Sequence, residues 1–325
     1  MLDVTHLKFK TMNLLERLQG GIFGVATGDA LGVPVEFNSR SYLTQNPVKG
    51  MMGYMCWNQP PGTWSDDSSL TLCLTESLSN GYDIENIGKT FVKWYKEGYW
   101  GAHHAVFDVG GTTRHTLDRI VKGESAYFSG NIFEEDNGNG SLMRTLPLVY
   151  FLKDIENIED RYQIIKDVSA ITHAHFRSVF ACFIYVEFGL LLLNGTEKFQ
   201  AYKEVKKIVN SFSKTQEFNT NETDLFEKIL QNDIFEYKNE EIRASGYVLH
   251  SLEASLWCFL TTDSYQECVL KAVNLGEDTD TTAAIAGGLA GLYYGFNAIP
   301  ETWKFQLARY DDIQNLIDRF HESLI

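Results

Sequence analysis

Two short acidic turns carry the densest chemistry in this sequence: Ser65-Asp66-Asp67-Ser68 and Asp278-Thr279-Asp280-Thr281. Each packs two carboxylates and two hydroxyls into four residues, and neither contains a Lys or Arg. Taken singly, each turn reads as a helix cap, because Asp and Ser at a helix start accept hydrogen bonds from free backbone N–H groups. Their oxygen content exceeds what a cap needs, however, and oxygen-rich sets of this kind suit hard cations such as Mg²⁺. The pattern after the second turn, Ala283, Ala284, Ala286, Gly287, Gly288, Ala290 and Gly291, leaves little side chain. A helix of that composition packs closely on its neighbours, so its acidic start is expected to point inward. Two inward carboxylates about 4 Å apart repel by roughly 4 kcal/mol at an effective dielectric of 20. Protons or cations must neutralise them. A pair of divalent metal ions held between the two turns is the expectation, with Glu36 on the loop after Gly32 and Pro34 as the natural further ligand, although spacing alone favours an ordinary exposed Glu.

Three other places could do chemistry. Asn137-Gly138-Asn139-Gly140-Ser141 is a Gly-rich loop before an apolar run, able to present N–H groups to an anion, although Asn-Gly is equally a common turn. It is no Walker loop, since no Gly-Lys-Ser/Thr follows. Thr172-His173-Ala174-His175 offers a hydrogen-bonding imidazole; without a C-x-x-C or H-E-x-x-H partner it makes no zinc site. Asp108 lies in a polar turn, Phe107 to Arg114, and by spacing alone is a turn former.

Helices must position these groups. The periodic patterns run at about Leu14–Leu31, from Asp66 through Leu78, and at Ile84–Glu97, Ser141–Leu152, Ile158–Ile171, Arg177–Leu193 and Glu197–Ser211. They continue at Tyr247–Leu260, Tyr265–Val273, Thr281–Tyr294 and Ile313–Leu324. The first stops at Gly32 and Pro34, as a helix should. Strand patterns are short and few, no repeat or Pro-rich linker divides the chain, and 214–241 reads as a polar, unpatterned surface excursion. The fold class is all-α, in one domain spanning 1–325 with its core at about 14–294.

Five motifs in order resemble the ADP-ribosylglycohydrolases, the family that includes the dinitrogenase-reductase-activating glycohydrolases. They are Gly28-Asp29-Ala30-Leu31-Gly32-Val33-Pro34-Val35-Glu36, Gly62-Thr63-Trp64-Ser65-Asp66-Asp67-Ser68, Gly138-Asn139-Gly140-Ser141-Leu142-Met143-Arg144, Thr172-His173 and Gly276-Glu277-Asp278-Thr279-Asp280-Thr281. Phe107-Asp108-Val109-Gly110 is similar to the bacterial branch. The resemblance covers about Leu14 to Tyr294 and implies a compact orthogonal helical bundle with a binuclear Mg²⁺ or Mn²⁺ centre. It assigns Ser65, Asp66, Asp67 and Asp280 to one ion and Glu36, Asp278, Asp280 and Thr281 to the other, with Asp280 bridging. It gives Gly138, Asn139, Gly140, Ser141 and His173 to the ligand's pyrophosphate or distal ribose, and leaves Asp29 structural. Ser65 stands where many members have Thr, which keeps the hydroxyl; Glu277 stands where Gly is frequent, so the shape of that turn is open. The implied reaction is hydrolysis at the anomeric carbon of ADP-ribose attached to a protein or other carrier. Glu36, Asp66 and Asp108 are the unranked candidates for the acid or base.

Two other classes compete with this reading: a different all-α metalloenzyme and a non-catalytic binder. Prenyl-diphosphate enzymes are also all-α and bind Mg²⁺, but space their Asp residues at i and i+4. Histidine–aspartate phosphohydrolases need a His-Asp dipeptide, which is absent from the sequence. A non-catalytic binder of ADP-ribose or of a partner protein would keep the fold without turnover. The net charge of −15 opposes a basic nucleic-acid stripe and docking on anionic membranes. Five cysteines without pairing motifs, and no basic-then-apolar leader in Met1–Lys10, lead to the expectation of a cytoplasmic monomer. The apolar run Val179–Leu193 contains Glu187 and reads as a buried core helix.

Overall fold

The computed structural model describes residues 12–325. Its longer helices are α1 (Leu14–Gly32), α2 (Arg40–Gln45), α3 (Asp66–Leu78), α4 (Ile84–Glu97), α5 (Gly111–Val121), α6 (Pro147–Phe151) and α7 (Ile158–Ala170). They continue with α8 (Phe176–Leu193), α9 (Lys198–Thr215), α10 (Val248–Leu260), α11 (Tyr265–Val273), α12 (Thr279–Tyr294) and α13 (Tyr310–Ser323). No strand forms among the described residues, only two isolated bridges, Asn131–His173 and Gly138–Tyr247. The reading of Met1–Lys10 lies outside the described residues.

The centre of the molecule is the crossing of α1 and α12. Gly20, Gly24, Gly28 and Gly32 recur every four residues on α1, so they share one face. That face meets Ala283, Gly287 and Gly291 of α12, backbone against backbone. A Cβ added at Gly24 would lie 2.3 Å from the Gly287 carbonyl oxygen, and one at Gly28 would lie 2.1 Å from that of Ala283. Buried tyrosines finish the crossing, with Tyr265 donating to the Gly24 carbonyl at 2.9 Å and Tyr185 to that of Ile285 at 3.0 Å. Around this pair pack α3, α8, α10, α11 and α13. Helix α8 passes the length and hydropathy test for a membrane span, yet its residues are mostly buried inside the protein. Its Glu187 forms a two-pronged ion pair with Arg161, at 2.6 and 2.8 Å.

The sequence expectations need correction at three places. The helix expected over Ser141–Leu152 is two pieces: a turn at 141–144 and then α6, which starts at Pro147. Proline lacks the N–H that an uninterrupted helix would use there. Helix α5 replaces what read as a polar turn; its buried residues are Thr113, Thr116 and Leu117, too few apolar positions to give a pattern. The polar excursion at 214–241 is a run of single helical turns held down by buried Phe226, Ile229, Leu230 and Ile234. Phe226 meets Phe180 of α8 edge to face at 5.0 Å, and Glu222 is paired with Arg177 at 2.7 Å.

Candidate active site

Both acidic turns open long helices of the core, as their caps. Ser65 is the N-cap of α3 and Asp278 that of α12. Because α1 crosses α12 so closely, its own C-terminal end arrives at the same place. Thr279 donates to the Gly32 carbonyl at 2.9 Å, and the loop after α1 is clipped to the loop before α12. There Phe37 N–H donates to Glu277 O, and Glu277 N–H to Asn38 O, each at 2.8 Å. Glu277 has φ +63°, the left-handed region that favours glycine, and these two bonds hold it there. The clip brings Glu36 over the second acidic turn.

Asp29 binds the start of α3 and also contributes an oxygen to the acidic cluster. Its carboxylate accepts from the Ser65 N–H at 2.9 and 3.1 Å, the Ser68 N–H at 3.0 Å and the Ser68 hydroxyl at 2.6 Å. Those bonds position the start of α3. Asp67 and Asp280 are different. Asp67 Oδ2 accepts from the Ser65 hydroxyl at 2.9 Å and from Thr281 at 3.3 Å, while Asp280 Oδ1 accepts from the Thr281 N–H at 2.9 Å. Asp67 Oδ1 and Asp280 Oδ2 are buried with no hydrogen-bond partner. An orphaned buried carboxylate oxygen is costly, and here two sit in one cluster.

Carboxylate oxygens converge in two groups, each within 4.8 Å: Asp29, Asp67 and Asp280, and Glu36, Asp108 and Asp280. Asp280 belongs to both. Burial pushes Asp66, Asp67 and Asp280 well above the ordinary aspartate range, with neighbouring carboxylates adding to the effect. Burial, then Asp108, raises Glu36 to about 9; burial, then Asp278, raises Asp108 to about 6. The Asp108 carboxyl stands in one oxygen group with those of Glu36 and Asp280, and the neighbouring Gly110 N–H favours the charged form of Asp66. Trp57 donates its indole N–H to Glu36 Oε2 at 2.5 Å.

These acids border a cavity of about 210 Å³ whose lining contains no Lys or Arg. Glu36, Asp66, Asp108, Asp278 and Thr281 line it, together with Gly138, Asn139, Gly140 and His173. Asn139 joins the two sets by donating to Asp278 Oδ2 at 2.7 Å. Ser65, Asp67 and Asp280 lie beneath this lining. Ser141 is not brought to the cavity: its hydroxyl sits in the core beside Ser169 at 2.9 Å and Cys182 at 3.5 Å. Space, rather than side-chain chemistry, explains Gly140, where a Cβ would fall 2.8 Å from His173 Cε1 and 3.1 Å from the Thr113 hydroxyl. His173 is buried, which lowers it to about 3, so the ring is neutral at pH 7. Its Nδ1 is 2.7 Å from the Thr172 hydroxyl.

Two contributors to this wall had escaped the sequence reading. The N-terminus of α5, Gly111 to Thr113, faces the cavity and has no side-chain cap, which makes that wall rich in N–H groups. The Gly-Gly-Thr-Thr sequence was its only signal. Arg144, fully buried, ties the Gly-rich loop to the His173 segment, donating to the Gly140 carbonyl at 2.7 Å and the Thr172 hydroxyl at 2.8 Å. The arrangement therefore has an acidic wall suited to cations and an N–H-rich wall suited to an anion.

Comparison with known proteins gives a consistent picture. The profile of a family described as ADP-ribosylglycohydrolase matches residues 10–324. An "ADP-ribosylarginine hydrolase Tri1" of Serratia proteamaculans (strain 568) is 33% identical over 94% of this chain and 79% of its own. An "ADP-ribosyl-[dinitrogen reductase] glycohydrolase" of Rhodospirillum rubrum is 28% identical over 90% of each chain. A solved structure titled "ADP-ribosylglycohydrolase-related protein complex" superposes with a TM-score of 0.79 at 28% identity, covering 96% of this chain and 99% of that one.

Proposed function

Given that the chain belongs to the ADP-ribosylglycohydrolase family and is a hydrolase that removes ADP-ribose, we propose that it cleaves the bond to protein arginine with two divalent cations, Mg²⁺ or Mn²⁺. The observation that carries the metal reading is the pair of orphaned buried oxygens on Asp67 and Asp280, inside groups of carboxylates that have no basic residue among the cavity lining. The donor set fits hard cations: carboxylates and hydroxyls, with no sulfur or imidazole among them. Ser65, Asp66, Asp67 and Asp280 would hold one ion; Glu36, Asp278, Asp280 and Thr281 the other. Asp108 stands in the second oxygen group as well. Bound there, the cations would supply Lewis acidity and fix the orientation of the ribose hydroxyls.

The chain's own residues account for the rest. The Gly138–Gly140 loop, the α5 N-terminus and neutral His173 would receive the pyrophosphate, since free backbone N–H groups and a helix start attract an anion. That directs the ribose and its anomeric carbon to the acidic wall. As the bond to the arginine nitrogen lengthens, positive charge grows on the sugar, and the surrounding carboxylates favour it. Water adds its hydroxide to the anomeric carbon. Its proton passes through Asp108 or Glu36, whose oxygens stand in one group, to the departing guanidine nitrogen. Arginine as the carrier is supported by two features: the relative named for ADP-ribosylarginine, and the aromatic rings of Trp57 and Phe107 beside the acids, 5.4 Å apart. Acid and aromatic faces together suit a guanidinium. The five cysteines are free thiols, four of them buried, which fits a reducing compartment.

Free ADP-ribose released from defined arginine-, serine- and nucleic-acid-linked substrates, with Mg²⁺, Mn²⁺ or chelator, tests this reading. Release from the arginine substrate only with a cation is expected. Undiminished release in chelator would refute the metal role. Release from serine and not arginine would refute the linkage. Tight ADP-ribose binding without release from any substrate would make the protein a binder.

A further inference from the structure

Asp66, Asp67 and Asp280 sit on the first turns of core helices, but Glu36 and Asp108 do not. Glu36 follows a three-residue 3-10 turn, and Asp108 precedes α5 on irregular backbone, with φ +51°. Something other than a helix must hold them in register. Trp57 is a side chain that reaches both loops. Its indole N–H bonds Glu36 Oε2 at 2.5 Å. Its ring lies 5.4 Å from Phe107, immediately before Asp108, and 6.2 Å from Phe37, immediately after Glu36. The segment carrying Trp57 is itself fastened beside Glu36: the Cys56 N–H donates to the Pro34 carbonyl at 3.0 Å.

We propose that Trp57 is a positioning residue that fixes Glu36 against Asp108, through its N–H, for cation binding and turnover. This rests on the proposed function above. A carboxylate with one oxygen pinned has far fewer orientations left to lose when it takes up a ligand. Partners that orient a ligating side chain typically affect metal affinity or activity by about 10–100-fold. A bystander that merely packs would act through ring size, not through the N–H.

Replacing Trp57 with 3-benzothienylalanine keeps the fused ring and deletes only the N–H; Trp57→Phe is the encoded counterpart. Both are compared with wild type for Mn²⁺ binding by calorimetry, for kcat and KM, and for thermal unfolding. The expected result is about 10-fold weaker Mn²⁺ binding and a kcat lowered about 10-fold, at the low end of that range. KM should stay within about twofold, because the pyrophosphate wall is untouched, and the melting temperature should not change. In a Glu36→Ala background, which leaves no acceptor for the indole N–H, the same deletion should alter Mn²⁺ binding by less than about twofold. Wild-type Mn²⁺ binding and kcat in both variants would overturn the proposal, and so would an equal loss in the Glu36→Ala background. If wild type turns over substrate with no bound cation, the metal reading fails, while the kcat of the two variants still decides the role of Trp57.

Discussion

Gly28→Ala isolates the dependence of the site on the α1–α12 crossing. The added Cβ would stand 2.1 Å from the Ala283 carbonyl oxygen and 2.6 Å from its carbon, whereas real Cβ contacts essentially never fall below 3.0 Å. Both obstacles are backbone, so no rotamer change relieves them, and α12 must retreat by roughly 0.9 Å. Overpacking of this kind costs about 1–3 kcal/mol, and exchanging glycine for alanine within a helix returns about 0.5–1 kcal/mol. A chain of this size has an unfolding entropy near 0.7 kcal/mol per degree, so the net cost should lower the melting temperature by no more than about 4 °C. The site is more sensitive. Gly28 adjoins Asp29, which seats α3, and Ala283 is one turn from Asp280, so the two carboxylate groups would be pulled apart. A misplacement of about 1 Å can cost on the order of 100-fold in rate. Turnover and Mn²⁺ binding should therefore collapse in a protein that melts almost normally. Gly50→Ala is the control, since its Cβ would find only Trp303 Nε1, at 3.5 Å. The reasoning is wrong if Gly28→Ala keeps kcat and Mn²⁺ affinity within about twofold of wild type.

Three further outcomes follow from the same geometry. Asp108 is raised to about 6 and Glu36 to about 9, so the metal-free native state holds protons that the unfolded chain releases above about pH 4. Its stability should be greatest in acid and fall as pH rises through 6 toward 9; calorimetric melts should also show Mn²⁺ stabilising more at pH 8 than at pH 5.5. Asp280→Asn removes one charge from a repelling cluster, and should raise the melting temperature of the metal-free protein while abolishing Mn²⁺ binding and turnover; retained Mn²⁺ affinity would count against a bridging role. Gly140→Ala should weaken ADP-ribose binding by about 10-fold through the clash with His173 and Thr113 while leaving Mn²⁺ affinity unchanged, as read by calorimetry with each ligand.

The parts of this protein legible in its sequence share a physical signature. Helices such as α4, with Asp83 as N-cap and Gly98 as left-handed C-cap, announce themselves by local rules. The acidic turns were legible because four oxygen-bearing side chains in four residues exceed any capping need. Ser141, by contrast, belonged to a motif, yet its hydroxyl turns into the core beside Ser169 and Cys182. Motif membership says that a segment is at the site and does not say which way each side chain points. Helix α5 and Trp57 left almost no trace: α5 buries few apolar positions, and Trp57 acts on a residue 21 positions away.

The sequence by itself determined the all-α class, the family and the residues that make the acidic cluster, because helix periodicity, capping and motif order are properties of neighbours along the chain. The tertiary structure alone decided that the two turns meet, that Asp29 binds the first turn of α3 from outside, and how the carboxylate oxygens group around Asp280. The contacts behind those facts join residues far apart along the chain, from 36 positions for Asp29 and Ser65 to 247 for Gly32 and Thr279. The every-fourth glycine stripe of α1 permits the approach, but the small-residue face of α12 is needed to make it happen.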